Sequence, residues 1–331
     1  MTTLKDISKA TSLSLSTVSA VLGGRAEKLA ISRKTIEKVL ACAEELDYHP
    51  DLSARTLRSS ESKIIGLLMP NIKVEFWQNM ILDLQKEIGK YEGYILLSAL
   101  WDNSTSIKKC MRDLLCRKVD GIITSHAVFL PENFHLPVAS YDKEPSTKFD
   151  TVLYGKKEAL EKSLAYAVSL GHKRIALAGD AEGDGNKLFL EIAPEFGVTP
   201  VIQEKEKEKI TSSFNESFYY RNTCILEEHN GMRPSFVISL NNLTTLNILK
   251  RAAELSLKVP DDLSILAIDD SYIYPFLSPA ITSFVRSEEG FPRMLLQTLF
   301  ERMKKKDMEQ KIIIPEGKLI ERNSCCKYNK K

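Results

Sequence analysis

The sequence predicts an α/β protein in two parts. An N-terminal all-α head, with a helix-turn-helix and a hinge helix, precedes a two-lobed core built on parallel sheets. Three observations carry this prediction. Two short, capped helical patterns joined by three residues fill the first 24 positions. From Lys63 onward, apolar runs of strand length alternate with stretches of helical period. That alternation lasts about 270 residues, more than one such sheet uses, so it divides into two lobes.

In the head, Thr3 precedes the apolar-periodic Leu4 and Ile7, with Asp6 three residues on, a capping-box start. After the break Ser12-Leu13-Ser14, Ser14 caps a second helix over residues 15–22. This helix should bury Val18, Val21 and Leu22 and turn Leu15, Ser16, Ser19 and Ala20 outward. Two helices joined this way present the N-terminal face of the second to a DNA major groove. An ordinary helical hairpin has the same spacing, and spacing alone does not choose between them. Ser32 opens a third helix whose stripe Ile36, Val39, Leu40, Ala43 and Leu46 packs back on the pair. Tyr48-His49-Pro50 ends it, because proline disfavours helix in the residue before it. Asp51 can cap a fourth helix over 52–58, too short to stand alone, and Ser59-Ser60-Glu61-Ser62 is a linker.

In the core, strands are expected at 64–69, 94–99, 121–124, 174–178, 236–239 and 263–268. Helices are expected at 76–91, 107–117, 160–170 and 243–255. In this architecture ligands bind beyond the carboxyl ends of the strands, here in the cleft between lobes. Phe76 and Trp77 are adjacent at a helix start and cannot both face inward on one stripe, so at least one should face that cleft. Residues 204–209 alternate acid and base, as a solvated loop or strand edge does.

Composition narrows the function class. With 43% apolar and 27% charged residues the chain is globular, and its formal charge of +2 announces no nucleic-acid protein. Residues 1–60 carry nine cations against seven anions, so any DNA footprint must come from placement, and one head alone should bind modestly and salt-sensitively. None of the six cysteines forms a C-x-x-C pair and no histidine lies at zinc-ligand spacing from them, which reads as a reduced cytosolic chain. The opening residues lack a signal-peptide pattern and no apolar run approaches the roughly 20 residues of a membrane span, so the expectation is a cytoplasmic protein with no membrane partner. Asp180-Ala-Glu-Gly-Asp-Gly with Glu191 nearly fits a calcium loop, but it follows a strand, and Lys187 stands where an apolar residue is needed. It reads as a glycine-bearing strand–helix turn. No metal and no cofactor are expected. The five histidines sit with no nucleophile in a recognisable signature, which argues against an enzyme.

Taken together, several segments resemble the lactose/galactose repressor (LacI/GalR) family. Thr3-Leu-Lys-Asp-Ile and Ser14-Leu-Ser-Thr-Val-Ser are similar to its helix-turn-helix signature, and Leu46-Asp-Tyr-His-Pro and Ala54-Arg-Thr-Leu-Arg to its third and hinge helices. Lys63-Ile-Ile-Gly-Leu, Val119-Asp-Gly-Ile-Ile, Leu170-Gly-His-Lys-Arg-Ile-Ala, Val259-Pro-Asp-Asp-Leu-Ser-Ile and Leu319-Ile-Glu-Arg follow in the family's order. The resemblance implies a homodimeric transcriptional regulator, a repressor, that binds a double-stranded DNA operator and responds to a small-molecule effector, a sugar or a nucleoside. Its core would resemble a periplasmic sugar-binding protein.

The implied division is a head at 1–50, a hinge at 51–62 and a core at 63–331. The N-lobe would span about 63–154 and 287–313, the C-lobe about 155–286 and 314–331. The implied DNA-contacting residues are Thr3, Ser14, Leu15, Ser16, Thr17, Ser19 and Ala20, with Ala54, Arg55, Leu57 and Arg58 in the hinge. For the effector they are Phe76, Trp77, Trp101, Asp142, Lys187, Asn241 and Asp269.

The departures from the family matter too. Ala20 replaces a usual arginine, Ser12 a usual glycine, and Tyr154-Gly155 and Asn241-Asn242 replace Asp-Asn and Asn-Asp; Gly179–Phe196 lacks the family's clamping arginine. A hexose clamp is therefore eroded, which keeps open a protein partner in place of the effector, or a sensor whose DNA-binding head is vestigial.

Overall fold

The computed structural model describes residues 2–48, 61–70, 75–101, 106–125, 127, 130–131, 134–141, 146, 148–153, 155–179, 184–201, 223–227, 233–285, 290–305 and 307–329. The chain forms two compact units, Met1–Ser62 and Lys63–Lys331.

The head holds three helices, α1 (Leu4–Thr11), α2 (Leu15–Leu22) and α3 (Arg33–Glu45). Each begins where a short polar side chain satisfies free backbone donors. At α1, both the backbone N–H and the hydroxyl of Thr3 donate to the Asp6 carboxylate, at 2.9 and 2.6 Å. These bonds hold Asp6 below the usual carboxylate range. Ser14 and Ser32 accept from the backbone N–H groups of Thr17 and Thr35. Ile7, Val18, Val21, Ala26, Val39 and Ala43 make the small core. Lys38 joins α3 to the end of α1 by donating to the Thr11 carbonyl at 2.8 Å.

The expected stripe on α3 needs correction: Leu40 is 50% and Leu46 37% exposed, and partly buried Cys42 packs inward instead. Ile36, Val39 and Ala43 already define the inward line, and Leu40 lies roughly 100° around the helix from Val39. The expected hinge helix, 52–58, lies outside the described residues.

In the core unit, the first sheet contains β1 (Ile64–Pro70), β2 (Ile95–Trp101), β3 (Gly121–Thr124), β4 (Val138–Ser140), β5 (Asp150–Val152) and β11 (Ile312–Ile313). Their order is β11-β5-β4-β3-β1-β2, parallel throughout. Three helices cover it: α4 (Glu75–Ile88), α5 (Ile107–Cys116) and α9 (Phe291–Lys304). The apolar run of β1 is explained by burial on both faces. Ile65, Leu67 and Met69 pack with Met80, Leu84, Leu295 and Leu299 of α4 and α9. Leu68 joins Cys110, Met111 and Leu114 of α5 on the other face. Arg302 of α9 grips Asp150 at the start of β5 through two nitrogens, at 2.8 and 2.7 Å, and the backbone N–H of Lys311 donates to the same carboxylate.

The second sheet repeats the plan with β6 (Arg174–Ala178), β7 (Thr199–Val201), β8 (Phe236–Ser239), β9 (Ser264–Ile268), β10 (Thr282–Val285) and β12 (Lys318–Ile320). The order is β12-β10-β9-β8-β6-β7, with β12 antiparallel to β10. Helices α6 (Lys156–Ser169), α7 (Asp184–Ile192) and α8 (Asn242–Glu254) pack on it. His172, in the turn before β6, is buried between the Ser235 hydroxyl at 2.9 Å and the Cys326 carbonyl at 3.0 Å. Burial pushes its pKa down.

Both sheets reverse their order of strand addition at a central pair, β1/β3 in the first and β6/β8 in the second. A crevice opens beyond the carboxyl ends of the strands at such reversals. No helix among the described residues is long and apolar enough to cross a membrane.

Candidate nucleic-acid interface and ligand cleft

In the head, α1 and α2 are joined by a turn whose first residue, Ser12, has φ +55°. Its backbone N–H closes α1 on Lys9 and Ser8. A left-handed serine costs about 1 kcal/mol relative to glycine, so this turn is held against a local preference. α2 then presents a polar N-terminal face. The Ser14 hydroxyl lies 2.8 Å from those of both Ser16 and Thr17, and Ser14, Leu15 and Ser16 are exposed. Leu15 is 44% exposed beside them. Thr3 is exposed, while Thr17 and Ser19 are half-buried.

Ala20 does not face outward as expected; it is only 3% exposed. Helical period alone places it away from Val18 and Val21. The chain leaving α2, however, folds back over this end, with the Arg25 N–H bonded to the Ala20 carbonyl at 2.9 Å and Ala26 buried beside it. Ala54, Arg55, Leu57 and Arg58 lie outside the described residues.

In the core unit, the segments after β1, β8 and β9 meet across the two sheets. Glu75, the first residue of α4, is 8% exposed. Its Oε2 accepts hydrogen bonds from Asn242 Nδ2 at 2.7 Å and from Ser271 Oγ at 2.6 Å, both following strands of the second sheet. Its Oε1 is buried and has no hydrogen-bond partner among the described residues. Beneath it, the fully buried Tyr274 donates to Thr245 Oγ1 at 2.9 Å. Burial pushes the Tyr274 hydroxyl's pKa up, and Asp269, Glu75 and Asp270 push it in the same direction. Asp270 is gripped by Arg322 at 2.8 and 2.9 Å. Despite the cost of its burial, the Arg322 and Ser283 hydrogen bonds hold Asp270 below the usual carboxylate range.

The expected ligand residues fall in different settings. Asp269 follows β9, is half-buried, has φ +68°, and stands in the same acidic surroundings as Glu75. Trp77 is partly buried on the first-lobe core, its ring 5.7 Å from that of Tyr141, the residue after β4. Trp101 packs with the α5 cluster. Lys187 is exposed on α7.

Asn241 serves its own helix: its Oδ1 accepts from the Thr244 N–H at 2.9 Å. Its neighbour Asn242 is the residue that reaches across. Gly179, after β6, has φ +111°, and a Cβ there would come within 3.0 Å of Thr244 Oγ1, so only glycine lets this turn approach α8. Asp142 and the side chain of Phe76 lie outside the described residues. Glu75, Asn242 and Ser271 were not expected from the sequence; the signal available was an acid placed just before the Phe76-Trp77 pair.

Comparison with known proteins agrees with this fold. Residues 3–51 match the family model of bacterial regulatory proteins, lacI family, and residues 164–325 match the periplasmic binding protein-like domain. The chain is 25% identical over 341 residues to the HTH-type transcriptional repressor PurR of Histophilus somni, covering 98% of this chain and 99% of that one. It is 26% identical to the PurR repressor of Salmonella arizonae over 339 residues, covering 98% and 97%. Among solved structures, it resembles the lac repressor dimer bound to operator and the anti-inducer ONPF, with TM-score 0.81, 18% identity, and 98% and 99% of the chains covered. A periplasmic binding protein/LacI transcriptional regulator from Alkaliphilus metalliredigens, complexed with D-xylulofuranose, is similar with TM-score 0.62 and 19% identity, covering 80% of this chain and 99% of that one. The chain thus joins, in one sequence, a helix-turn-helix head of the lacI family to a binding-protein-like core with two parallel sheets, the domain pairing of the LacI/GalR DNA-binding transcriptional regulators.

Proposed function

We propose that the protein is a homodimeric transcriptional repressor whose operator affinity is set by a small polar effector held where the two lobes meet. The observation that carries this is the exposed polar face of α2 on a lacI-type head, joined in one chain to a core whose two sheets both reverse at a central strand pair. The dimeric, operator-bound lac repressor and the full-length similarity to PurR repressors support it.

In this reading α2 enters the major groove. Ser16 and Thr17 read base edges, and Leu15 packs on thymine methyls. Thr3, Ser14, Ser19 and the N-terminal amides of α2 anchor phosphates. In the hinge, Leu57 wedges into a minor-groove base step, flanked by Ala54, with Arg55 and Arg58 near phosphates. Trp77 and Asp269 border the effector, with Phe76 and Asp142 assigned to the same site, whereas Trp101 packs in the α5 cluster, Lys187 is exposed on α7 and Asn241 caps its own helix. The effector acts by binding one arrangement of the lobes more tightly than the other, which is the only way a ligand can shift such an equilibrium. In this reading the protein works in the cytoplasm on the DNA it regulates and carries out no catalytic step.

The test is an electrophoretic shift on DNA from around the protein's own gene, with excess nonspecific competitor. A competitor-resistant complex is expected, weakened at least about tenfold by Leu57→Ala, since one buried leucine contributes roughly 1.5–3 kcal/mol. Loss of all binding to competitor would refute the DNA-binding reading; equal affinity of the Leu57→Ala protein would refute the wedge.

A further inference from the structure

Glu75 is a carboxylate taken out of water at the junction of the two lobes, with only half of its accepting capacity used. Asn242 and Ser271 both donate to Oε2, and both are neutral, so they orient the group without cancelling its charge. Among the described residues no cation forms an ion pair with it, whereas the neighbouring Asp270 has Arg322. Asp269 acts on the same buried Tyr274 hydroxyl that Glu75 does, so a second carboxylate stands in its neighbourhood. A buried carboxylate is costly unless it is paired and hydrogen-bonded, and a well-placed cation recovers most of that cost. The position is also where ligands bind in this architecture, between strand ends at the two order reversals.

We propose that Glu75 determines effector specificity: its Oε1 receives a protonated nitrogen, so the effector is a small polar molecule carrying an amine rather than a neutral sugar. The inference rests on the ligand-responsive reading above. The arrangement also explains how such a ligand would be sensed by both lobes at once. The carboxylate that takes the amine belongs to α4 of the first lobe, and its other oxygen is held by two side chains of the second. An amine at Oε1 strengthens the charge match at that shared point, whereas a neutral hydroxyl leaves the negative charge uncancelled.

The experiment is calorimetric titration of the full chain with matched pairs: glucosamine against glucose, galactosamine against galactose, and 5′-amino-5′-deoxyadenosine against adenosine. At least one amine should bind at least about tenfold more tightly than its hydroxyl twin, and Glu75→Gln should remove that preference while retaining a cooperative melt. Glu75→Asp, which keeps the charge one methylene further back, should retain part of it; should the glutamine variant not fold, this graded loss is the readout. Hydroxyl twins that bind as tightly as the amines, no binding by any of the amines, or a preference unchanged in Glu75→Gln and Glu75→Asp would each overturn the proposal. Operator binding by the same wild-type preparation is measured separately. A chain that binds operator yet shows no amine preference defeats this inference alone; one that binds no operator defeats the wider reading.

Discussion

Asn242 Nδ2 donates to Glu75 Oε2 at 2.7 Å although 167 residues separate them, and the bond joins the first residue of α8 on one lobe to the first residue of α4 on the other. A hydrogen bond to a buried charged group contributes about 1.5–3 kcal/mol, and removing the donor leaves the carboxylate under-solvated. Asn242→Leu should therefore lower the unfolding free energy of the core by that amount, read as a lower urea midpoint with the denaturant slope unchanged. An unchanged midpoint would show that the contact does not hold the lobes together.

The left-handed Ser12 between α1 and α2 invites the opposite change. Ser12→Gly relieves about 1 kcal/mol of backbone strain, which is roughly a fivefold rise in amide-exchange protection across α1 and α2 of the full chain. Protection that falls would mean that the flexibility glycine gives the unfolded turn outweighs the strain.

Ala20 and Ser16 separate the buried from the exposed face of α2. Ala20→Arg must force a long cation into a packed site, which costs about 1–3 kcal/mol, and should weaken binding to all DNA sequences alike. Ser16→Ala should instead change base preference at one half-site position in a selection from random operators. A specific new preference from Ala20→Arg would place that side chain in the groove after all.

His172 makes core stability depend on pH. Its folded pKa is depressed by burial, so the unfolded chain takes up a proton first as pH falls. The stabilisation from the neutral ring is complete above the unfolded value of about 6.5 and is lost as pH drops below it. The gap in unfolding midpoint between wild type and His172→Gln should therefore narrow from pH 7.5 to pH 5. A constant gap would mean that the imidazole keeps one charge state throughout.

Much of this molecule is legible in its sequence because burial on both faces writes an unbroken apolar run. Gly121–Thr124, Arg174–Ala178 and Phe236–Ser239 are central strands of that kind, and they begin and end where expected. Val138–Ser140, Asp150–Val152 and Thr199–Val201 are three residues long, too short to carry a period, and Thr282–Val285 is only one longer, with polar residues at its first two positions. They are strands because their neighbours hold them. In the head, capping chemistry at Thr3, Ser14 and Ser32 is local and could be read directly, whereas the burial of Ala20 depends on a chain reversal that helical period does not encode. The ligand region was the least readable. Asp269 and Glu75 are brought into one acidic neighbourhood by two separate strand ends, and nothing in the local sequence around Glu75 announces that it will meet Asn242 and Ser271.

The central claim is that this chain reads DNA sequence. Fluorescence anisotropy of the full chain, titrated at one salt concentration against an operator recovered by selection and against a scrambled duplex of the same length, tests it most directly. The account predicts a specificity ratio of at least about 10³. Equal affinity for the two duplexes would contradict it.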